Sequence, residues 1–388
     1  MNKTKILRII ARLNIGGPAI HTILLTANLN NERYDSILVK GKEGPDEGDM
    51  LSLARGKEVE PVFIHELQRE ISPVKDCIAL WRLYRLMRVK SPDIVHTHTA
   101  KAGTIGRIAA WLAGVPIILH TFHGHVLEGY FGGVKTRIFI LIERVMAIIS
   151  TRVITLSEGL KRELIKLKVA PEEKIEVIPL GLELKRFIEV DTLRDSFKRS
   201  IGLSVDSLLV GIVGRLVPIK AHKYFLEAVR EIQKMGGLSP QGIKFIIIGD
   251  GELRGELERY TKELGIEDSV VFTGFRSDLP EIYADLDIVV LSSMNEGTPV
   301  SLIEAMASAR PVVSTKVGGV ADLVEDGKTG LLVEPGDSTG LARAISELLR
   351  DNEKRKSMGK EGRKRVYPEY DIENLVRRIN LLYTALVA

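Results

Sequence analysis

The sequence predicts an α/β protein with two doubly wound, Rossmann-like domains. Short apolar runs rich in β-branched residues alternate with helix-length segments along almost all of the 388 residues, and these runs fall into two series. Runs that are apolar without strict alternation are typical of parallel strands that are covered by helices on both faces. A chain of this length also suffices for two domains of ordinary size.

Each series contains six predicted strands. The first consists of TKILRII, YDSILVK, DIVHTH, VPIILHTF, RVITLS and IEVIPLG, and the second of SLLVGIVG, KFIIIG, SVVFTG, DIVVLSS, RPVVSTKVG and TGLLVEP. A charged and weakly apolar stretch near residues 182–206 separates the two series. We therefore expect a first domain at 1–185, a second at 186–368, and an amphipathic C-terminal helix within 369–388 that can pack back on the first domain.

The composition excludes several classes of protein. The hydrophobic content of 45% and charged content of 27% are those of a soluble globular protein. The single cysteine, Cys77, cannot form a disulfide within the chain and suits a reducing compartment. The N-terminal segment is a poor signal peptide because Arg8 and Arg12 interrupt it, and no run approaches the roughly 20 apolar residues of a membrane span. We expect a cytoplasmic protein.

The net charge of +4 conceals an uneven distribution. Residues 1–190 contain 28 Lys and Arg against 21 Asp and Glu, whereas the remainder contains 27 against 30. Much of the excess lies in residues 75–168, where 15 basic residues accompany 6 acidic ones. A basic half of this kind predicts an anionic partner such as phosphates, nucleic acid or lipid headgroups.

Several predicted strand-to-helix turns carry residues that suit anion binding. Ligands of open parallel sheets bind at the carboxyl ends of the strands. In NIGGPAIHT, Gly16 and Gly17 end a strand and leave backbone N–H groups for an anion, although a plain tight turn explains them equally well. In VGIVGRLVPIKAHKY, Arg215 and Lys220 follow Gly214 and could grip a diphosphate, the alternative being solvated surface cations.

The turn IIIGDGELRGELE is best explained by structure. Asp250 is a candidate helix cap, and Gly251 permits close approach of another backbone.

The first turn, NIGGPAIHT, lacks the G-x-G-x-x-G spacing of dinucleotide-binding proteins, so a dehydrogenase is not supported.

Five histidines follow two neighbouring predicted strands: His96, His98, His120, His123 and His125. A zinc site is one interpretation, but no two of them have the i, i+4 spacing of a helical ligand pair with a glutamate nearby. We favour a polar lining of a binding site and expect no metal.

The segment MNEGTPVSLIEAM places Glu296 and Glu304 on either side of a predicted helix start. Glu296 could simply complement the helix dipole. Glu304 lies more than a turn inside an apolar helix, so it is either a solvated face residue or a buried acceptor. Asp285 and Asp287 resemble the D-x-D of metal-dependent sugar transferases, but they precede the strand and are interpreted as structural.

With these turns in this order, the chain resembles glycosyltransferase family 4, whose members are retaining enzymes that use sugar nucleotides. NEGTPVSLIEAM is similar to the E-x7-E motif of the family, GRLVPIK to its phosphate-gripping segment, NIGGPAIHT to its glycine loop and HTFHGH to its active-site histidine loop. The resemblance implies the GT-B fold, which consists of two doubly wound Rossmann-like domains with a cleft between them. Many members have EGFGLPLLEA where this chain has EGTPVSLIEA, which leaves the donor sugar open.

The resemblance also implies roles for individual residues. Glu296 would accept hydrogen bonds from hydroxyls of the donor sugar, and Glu304 would accept them from the ribose of the nucleotide. The catalytic residues implied are His123, Arg215, Lys220 and Glu296. Those implied for donor binding are Gly16, Gly17, Gly214, Arg215, Lys220, Gly251, Phe275, Glu296, Gly297, Thr298, Pro299, Val300 and Glu304. Those implied for acceptor binding are His98, Lys101 and His125.

The implied function is retaining transfer of a sugar from a nucleotide-diphosphate sugar, a UDP-sugar in the first place, to an acceptor hydroxyl. The acceptor would be a lipid-linked or other glycan in polysaccharide or cell-envelope biosynthesis. We expect no cofactor, no obligatory metal ion and no nucleic acid partner. Two alternatives remain open, a UDP-sugar 2-epimerase-like enzyme of the GT-B fold and a non-catalytic subunit that binds nucleotide sugars.

Two segments of the first domain suit an anionic membrane surface. WRLYRLMRVK and KTRIFILIERVMAIISTR combine basic with apolar residues, among them Trp81, Tyr84, Phe139 and Ile140. The alternative is a pair of ordinary amphipathic helices packed on their own sheet. The first interpretation predicts a peripheral protein at the inner face of the cytoplasmic membrane.

Overall fold

A computed structural model describes residues 3–44, 48–124, 133–236 and 242–387. Most strands form where the sequence places buried, β-branched runs. The strands are Thr4–Ile10 (β1), Tyr34–Lys40 (β2), Val62–Phe63 (β3), Ile94–His98 (β4), Ile117–Phe122 (β5), Arg152–Thr155 (β6), Ile175–Val177 (β7), Leu208–Val213 (β8), Ile243–Ile248 (β9), Val270–Gly274 (β10), Ile288–Leu291 (β11), Val312–Thr315 (β12) and Gly330–Val333 (β13).

Helices occupy most of the connections between strands. They are Gly17–Asn28 (α1), Leu51–Gly56 (α2), Pro73–Lys90 (α3), Ala100–Ala113 (α4), Gly133–Ile149 (α5), Glu158–Lys166 (α6), Lys185–Ile188 (α7), Ser196–Ser200 (α8), His222–Met235 (α9), Arg254–Glu263 (α10), Leu279–Asp285 (α11), Val300–Ala307 (α12), Val320–Leu323 (α13), Ser338–Arg350 (α14), Asn352–Val366 (α15) and Ile372–Val387 (α16).

The strands form two parallel sheets, which confirms the predicted α/β class with two doubly wound domains. Within the described residues, the first sheet has the order β3-β2-β1-β4-β5-β6-β7 and the second the order β10-β9-β8-β11-β12-β13. The strand order reverses between β1 and β4 in one sheet and between β8 and β11 in the other. Ligands of open α/β sheets bind at such switch points, so the loops after these four strands are expected to carry ligand-binding residues.

The chain divides into two compact units. The first consists of the residues up to Leu182 together with those from Ile372 onward, and the second spans Glu183–Asp371. The predicted boundary after residue 185 lies three residues from the first of these divisions. Helix α16 belongs to the first unit, where Leu375, Ile379 and Tyr383 are buried in a cluster with Ile6 of β1. Gly181 is required at this contact because a Cβ there would lie 2.5 Å from Leu375.

In the first unit, α3 and α4 cover one face of the sheet, whereas α1 and α16 cover the other. Leu7 and Ile9 pack with buried residues of α3 and α4, and Ile6 packs with residues of α1 and α16. The alternation follows from the period of two along β1. Apolar burial of this kind stabilises each unit by roughly 25 cal/mol per Å².

Helix α5 corrects part of the membrane interpretation. Phe139 and Ile140 are not available to a membrane, because they are half-buried against a cluster that contains Val153 and Leu164. The exposed apolar residues of α5 lie on the opposite side of the helix and are Val134, Ile138, Leu141, Val145 and Ile148. Among the described residues, no helix is long and apolar enough to cross a membrane.

Candidate functional site

Three histidines meet at the switch point of the first unit, and we call His21, His98 and His123 the histidine cluster. His98 lies at the end of β4, His123 follows β5, and His21 is carried over them by the second turn of α1. The Nδ1 of His98 lies 3.0 Å from Nε2 of His123, a hydrogen bond between the two rings. The ring of His21 lies edge-on to both, with centroids 5.0 Å from His123 and 5.6 Å from His98.

The other two described histidines of the predicted lining have structural partners. His96 hydrogen-bonds to Tyr383 Oη and Thr121 Oγ1, both at 2.7 Å, which connects β4 to α16 and β5. His120 lies 2.9 Å from Thr97 Oγ1, and its ring packs so closely on Gly103 of α4 that a Cβ there would lie 2.4 Å from it. The prediction that all of them line a binding site is therefore too broad.

The histidine cluster is uncharged at neutral pH. Burial lowers the pKa of His123 to about 3, and burial also lowers the pKa values of His21 and His98 well below the usual range. Neutral imidazoles can bind a metal, and ring nitrogens of the three residues lie within 4.8 Å of one another. His98 and His123 also hydrogen-bond to each other, and the expectation that no metal binds here stays a prediction.

The remaining predicted residues of the first unit have distinct surroundings. Gly16 precedes α1, and Pro18 lies in its first turn, as the turn NIGGPAIHT predicts. Lys101 forms an ion pair with Asp76 of α3 at 2.5 Å, so its charge is already paired before any acceptor binds. His125 lies outside the described residues, and the predicted role of Lys101 stays a prediction.

In the second unit, Lys220 and Glu296 are in direct contact. Lys220 Nζ donates to Glu296 Oε1 at 2.6 Å, and the side chain of Glu296 is only 10% exposed. Lys220 ends a 3-10 turn, Pro218–Lys220, after β8, and Glu296 lies in the loop after β11. The parallel pairing of β8 with β11 brings the two loops together at the switch point.

The loop that carries Glu296 leads directly into α12. Its backbone is held by Met294 N, which donates to Ile219 O at 2.9 Å, and by Glu296 O, which accepts from Gly319 N at 3.1 Å. Gly319 must lack a side chain, because a Cβ there would lie 1.8 Å from Gly297 O. Pro299 precedes Val300, the first helical residue, so the predicted helix start is confirmed and its N–H groups can face an anion.

Glu304 is a buried acceptor and not a solvated face residue. It is 6% exposed on α12, and the hydroxyl of Tyr283, on α11, donates to its Oε2 at 3.2 Å. Burial raises the pKa of Glu304 to about 7, although the charge of Arg186 and the Tyr283 hydrogen bond act in the opposite direction. Both alternatives were open from the sequence, and the structure selects the second.

The loops after β8 and β9 approach each other closely. A Cβ on Gly249 would lie 1.9 Å from Gly214 O, and one on Gly251 would lie 2.6 Å from Leu216 O, as predicted for Gly251. Arg215 is half-buried and its side chain makes no hydrogen bond or ion pair among the described residues. Phe275 follows β10 and is 63% exposed, which leaves its ring available to a ligand.

The capping role of Asp250 is wrong. Helix α10 begins at Arg254, and its N-cap residue, Leu253, makes no side-chain cap. Asp250 lies three residues earlier, where it accepts from Gly251 N at 2.8 Å and forms an ion pair with Arg254 at 2.9 Å. The two residues Glu252 and Leu253 form an extra turn that the pattern did not predict.

The D-x-D sequence is structural, as predicted. Asp285 accepts from the backbone N–H groups of Asp195 at 2.5 Å and Lys198 at 2.8 Å, and thus holds α8. Asp287 accepts from Leu209 N at 2.8 Å. Both carboxylates are therefore occupied at the amino ends of the strands, away from the loops that carry Lys220 and Glu296.

Three residues of these sites were missed from the sequence. His21 had a detectable signal, since a histidine one turn after Gly17 and Pro18 lies above the ends of the strands. Ser293 donates to Glu296 Oε1 at 2.5 Å, and Tyr283 donates to Glu304. The Tyr283 contact depends on how α11 and α12 pack, so no local pattern indicates it, whereas Ser293 lies only three residues before Glu296 in the same loop.

Two family models match the chain. The model described as "Glycosyl transferase 4-like domain" matches residues 16–181, and "Glycosyl transferases group 1" matches residues 194–365. The two matches together include the glycine turn, the histidine cluster, Lys220, Glu296 and Glu304. The resemblance inferred from the motifs is confirmed by them.

Curated relatives match almost the whole chain. The chain is 33% identical to the UDP-Gal:alpha-D-GlcNAc-diphosphoundecaprenol alpha-1,3-galactosyltransferase of Escherichia coli. The match extends over 360 residues and covers 92% of this chain and 91% of the relative. It is 29% identical to the capsular polysaccharide biosynthesis glycosyltransferase CapM of Staphylococcus aureus. This match extends over 323 residues and covers 82% of this chain and 83% of the relative.

Solved structures share the fold over the full length. Anabaena Alr3699/HepE, in a complex with UDP and glucose, superimposes with a TM-score of 0.83 at 22% identity and covers 98% of this chain and 100% of that one. Sucrose-phosphate synthase from Thermosynechococcus elongatus gives a TM-score of 0.80 at 23% identity and covers 99% of each chain. These likenesses confirm the predicted GT-B class.

Proposed function

Because the chain belongs to the group 1 glycosyltransferases and also carries a glycosyl transferase 4-like domain, we propose that it transfers a sugar from a UDP-sugar, with retention, to a hydroxyl of a lipid-linked glycan. The observation that carries the proposal is the arrangement in the second unit. There, the loop after β11 and helix α12 supply two carboxylates and a helix start, the turn after β8 brings the cation Lys220 against the first carboxylate, and the helix N–H groups favour anionic phosphates. The UDP-sugar and the lipid-linked acceptor are those in the name of the E. coli relative.

Each polar group of the second unit suits one part of a UDP-sugar. Arg215 has no partner among the described residues, and Lys220 can exchange its contact with Glu296 for a phosphate. Glu296 would then accept from the sugar hydroxyls, and Glu304, held by Tyr283, from the ribose. Two carboxylates that bind different parts of one ligand differ from a glycosidase pair, in which both flank a single bond.

The chemical step needs stabilisation of the leaving diphosphate above all. The bond between the anomeric carbon and the phosphate oxygen breaks, the acceptor oxygen bonds to the same face of that carbon, and its proton passes to the leaving phosphate oxygen. Arg215, Lys220 and the α12 start would stabilise the charge that develops on the phosphate. In the first unit, neutral His123 would orient the donor sugar through a hydrogen bond.

A face of the first unit supports a membrane-bound acceptor. Helix α4 packs against α3 on one side and α5 on the other, so the three helices form one layer. Within the described residues of this layer, no acidic side chain is exposed, because Glu143 is buried and Asp76 is half-buried against Lys101. The exposed apolar residues are Val74, Ile78, Trp81, Val89, Trp111, Leu112, Val134, Ile138, Leu141, Val145 and Ile148, and the exposed basic ones are Lys75, Arg82, Arg85, Arg88, Lys90, Lys135, Arg137 and Arg144.

This face combines the two features that bind peripheral proteins to anionic membranes, apolar side chains and basic residues. The spacing of four and three residues along α5 places all five of its exposed apolar residues on one stripe. We therefore propose a peripheral location at a membrane leaflet that displays anionic lipids. A lipid-linked acceptor would be reached from there.

The proposal is tested by incubating the purified chain with UDP-galactose, UDP-glucose or UDP-N-acetylglucosamine and an α-GlcNAc-diphospholipid acceptor. We expect release of UDP and formation of an α-linked product, the same anomeric configuration as in the donor, in the presence of excess chelator. Arg215→Ala should lower turnover about a hundredfold, as the loss of transition-state charge stabilisation does. A β-linked product would contradict retention, and loss of activity in chelator with rescue by magnesium would contradict the metal-free account.

A further inference from the structure

The hydroxyl of Ser293 contacts the carboxylate that the proposed function assigns to the donor sugar. Ser293 follows β11, is completely buried, and donates through Oγ to Glu296 Oε1 at 2.5 Å. Lys220 Nζ donates to the same oxygen at 2.6 Å. Within the described chain, both donors to the Glu296 side chain therefore reach Oε1, and Oε2 is left for a ligand.

Ser293 is itself held in place by the next strand. Thr315 Oγ1, at the end of β12, donates to Ser293 O at 2.6 Å, and Met294 N donates to Ile219 O at 2.9 Å. The backbone on both sides of the hydroxyl is thus tied to neighbouring segments of the same unit. A serine side chain has one heavy-atom torsion, so a fixed backbone and complete burial leave its Oγ little freedom.

Lys220 cannot hold Glu296 in the same way. Its ammonium group lies on a flexible four-carbon chain, is 22% exposed, and can engage either carboxylate oxygen. In the proposed function, Lys220 also turns to the diphosphate when the donor binds, and its bond to Glu296 then weakens. The serine hydroxyl is the donor that remains on Oε1 at that moment.

We propose that Ser293 is a positioning residue, whose hydroxyl holds Oε1 of Glu296 so that Oε2 accepts a hydrogen bond from the donor sugar. The inference rests on the proposed function, because it assumes that Glu296 binds the sugar part of the donor. Because the Ser293 side chain is completely buried, the proposal gives it no contact of its own with the sugar or the nucleotide. Its effect must therefore pass through Glu296.

The test measures the dissociation constants of UDP and of UDP-galactose and UDP-glucose by calorimetry. The proteins are the parent, Ser293→Ala, Glu296→Gln and the double variant. We expect Ser293→Ala to weaken UDP-sugar binding about tenfold, the effect of losing one hydrogen bond to a charged group, and to leave UDP binding unchanged. Added to Glu296→Gln, the serine substitution should have no further effect, because the two residues act as one unit.

A matched control is Ser314→Ala. Ser314 is also completely buried, lies on the neighbouring strand β12, and among the described residues donates only to a backbone carbonyl, Thr315 O. It should bind UDP and UDP-sugars as the parent does. Ser293→Cys keeps the shape of the side chain but has a larger sulfur atom and a much weaker donor, and it should weaken UDP-sugar binding in the same way if the alanine variant does not fold.

Two results would overturn the inference while leaving the proposed function intact. Ser293→Ala could bind UDP-sugars as tightly as the parent, or it could weaken UDP and UDP-sugars equally, which would indicate a structural role. A third result, in which Glu296→Gln binds UDP-sugars as the parent does, would remove the assumed role of Glu296 and overturn both together.

Discussion

At the scale of single residues, Glu304 is the most informative side chain of the second unit. It is an acid inside an apolar helix, with Tyr283 as its hydrogen-bond donor and the charge of Arg186 acting on it. Burial without full compensation disfavours the ionised form, which is why its pKa rises from 4.5 to about 7. A carboxylate kept at this cost in stability is typical of a ligand-binding site.

We predict that Glu304→Gln changes how stability depends on pH. The folded chain keeps a proton on Glu304 between pH 4.5 and 7 that the unfolded chain releases, so stability falls as the pH rises through this window. Glutamine does not bind this proton, so the variant lacks this loss of stability. The free energy of unfolding of the variant, relative to that of the parent, should therefore rise by about 2–3 kcal/mol between pH 5 and 8. Urea unfolding of both proteins at several pH values measures the difference.

The control is Glu256→Gln, an exposed carboxylate on α10. Its stability should follow the parent at every pH. If the stability of Glu304→Gln shows the same dependence on pH as that of the parent, the buried carboxyl is not the group that keeps the extra proton. UDP should in addition bind the parent more tightly above pH 7 than below it, since the ionised carboxylate is the better acceptor for ribose hydroxyls.

What could be predicted at this scale was the set of charged residues, not their partners. Glu296, Lys220 and Glu304 lie in motifs whose order and spacing are visible in the sequence. Tyr283 meets Glu304 only because α11 packs near α12, and Ser293 reaches Glu296, three residues later, through the conformation of the loop after β11. Hydrogen-bond partners set by tertiary packing carry no local signal.

At the scale of secondary-structure elements, β1 and β2 begin and end at the predicted residues, and both end in a run of buried residues. The strand β3 was missed, since Val62 and Phe63 are both exposed at the edge of the sheet and show no buried pattern. The orientation of α5 was also misjudged, because its apolar residues occupy more than one face and only packing decides which face is covered.

Helices α4 and α5 are joined by a buried ion pair. Arg107 Nη2 lies 2.7 Å from Glu143 Oε2, and the two side chains are 0% and 7% exposed. Arg107 also donates through Nε to Gly103 O at 2.8 Å, which leaves Glu143 as its charge partner. Removing one member of such a pair leaves an uncompensated buried charge.

We therefore predict that Glu143→Ala lowers the free energy of unfolding of the first unit by about 3–5 kcal/mol. The double variant Arg107→Leu with Glu143→Leu should lose much less, because no charge is left buried. Glu172→Ala serves as a control, since Glu172 pairs with Lys161 at 3.2 Å but is 71% exposed, and such pairs contribute about 0–1 kcal/mol. Equal losses for Glu143→Ala and Glu172→Ala would contradict the prediction.

At the scale of the whole molecule, the uneven charge has a location. The excess of nine positive charges in residues 75–168 lies largely on the layer formed by α3, α4 and α5. Each basic residue near an anionic surface contributes about 1 kcal/mol, and the effect falls off within a Debye length. Several such residues beside an apolar stripe are the basis of the proposed reversible attachment to a membrane.

The chain should consequently bind vesicles that contain anionic lipid, bind neutral vesicles weakly, and dissociate as the salt concentration rises. Replacing Arg82, Arg85 and Arg88 by Gln should weaken co-sedimentation with anionic vesicles. Replacing Ile138, Leu141 and Val145 of the α5 stripe by Ser should do so as well, and should also reduce the part of the binding that persists at high salt, because apolar contacts are not screened.

Matched substitutions elsewhere separate a specific surface from general charge and hydrophobicity. Lys356, Lys360 and Lys364 are exposed on α15 and can be changed together to Gln, and Leu381 and Val387 are exposed apolar residues of α16 that can be changed to Ser. Neither set should affect vesicle binding, and UDP-sugar hydrolysis should persist in all four variants. If the α15 variant loses as much binding as the α3 variant, attraction by net charge alone accounts for the attachment. If the parent binds neither kind of vesicle, the basic layer is a solvated surface, and an acceptor in solution replaces the lipid-linked one.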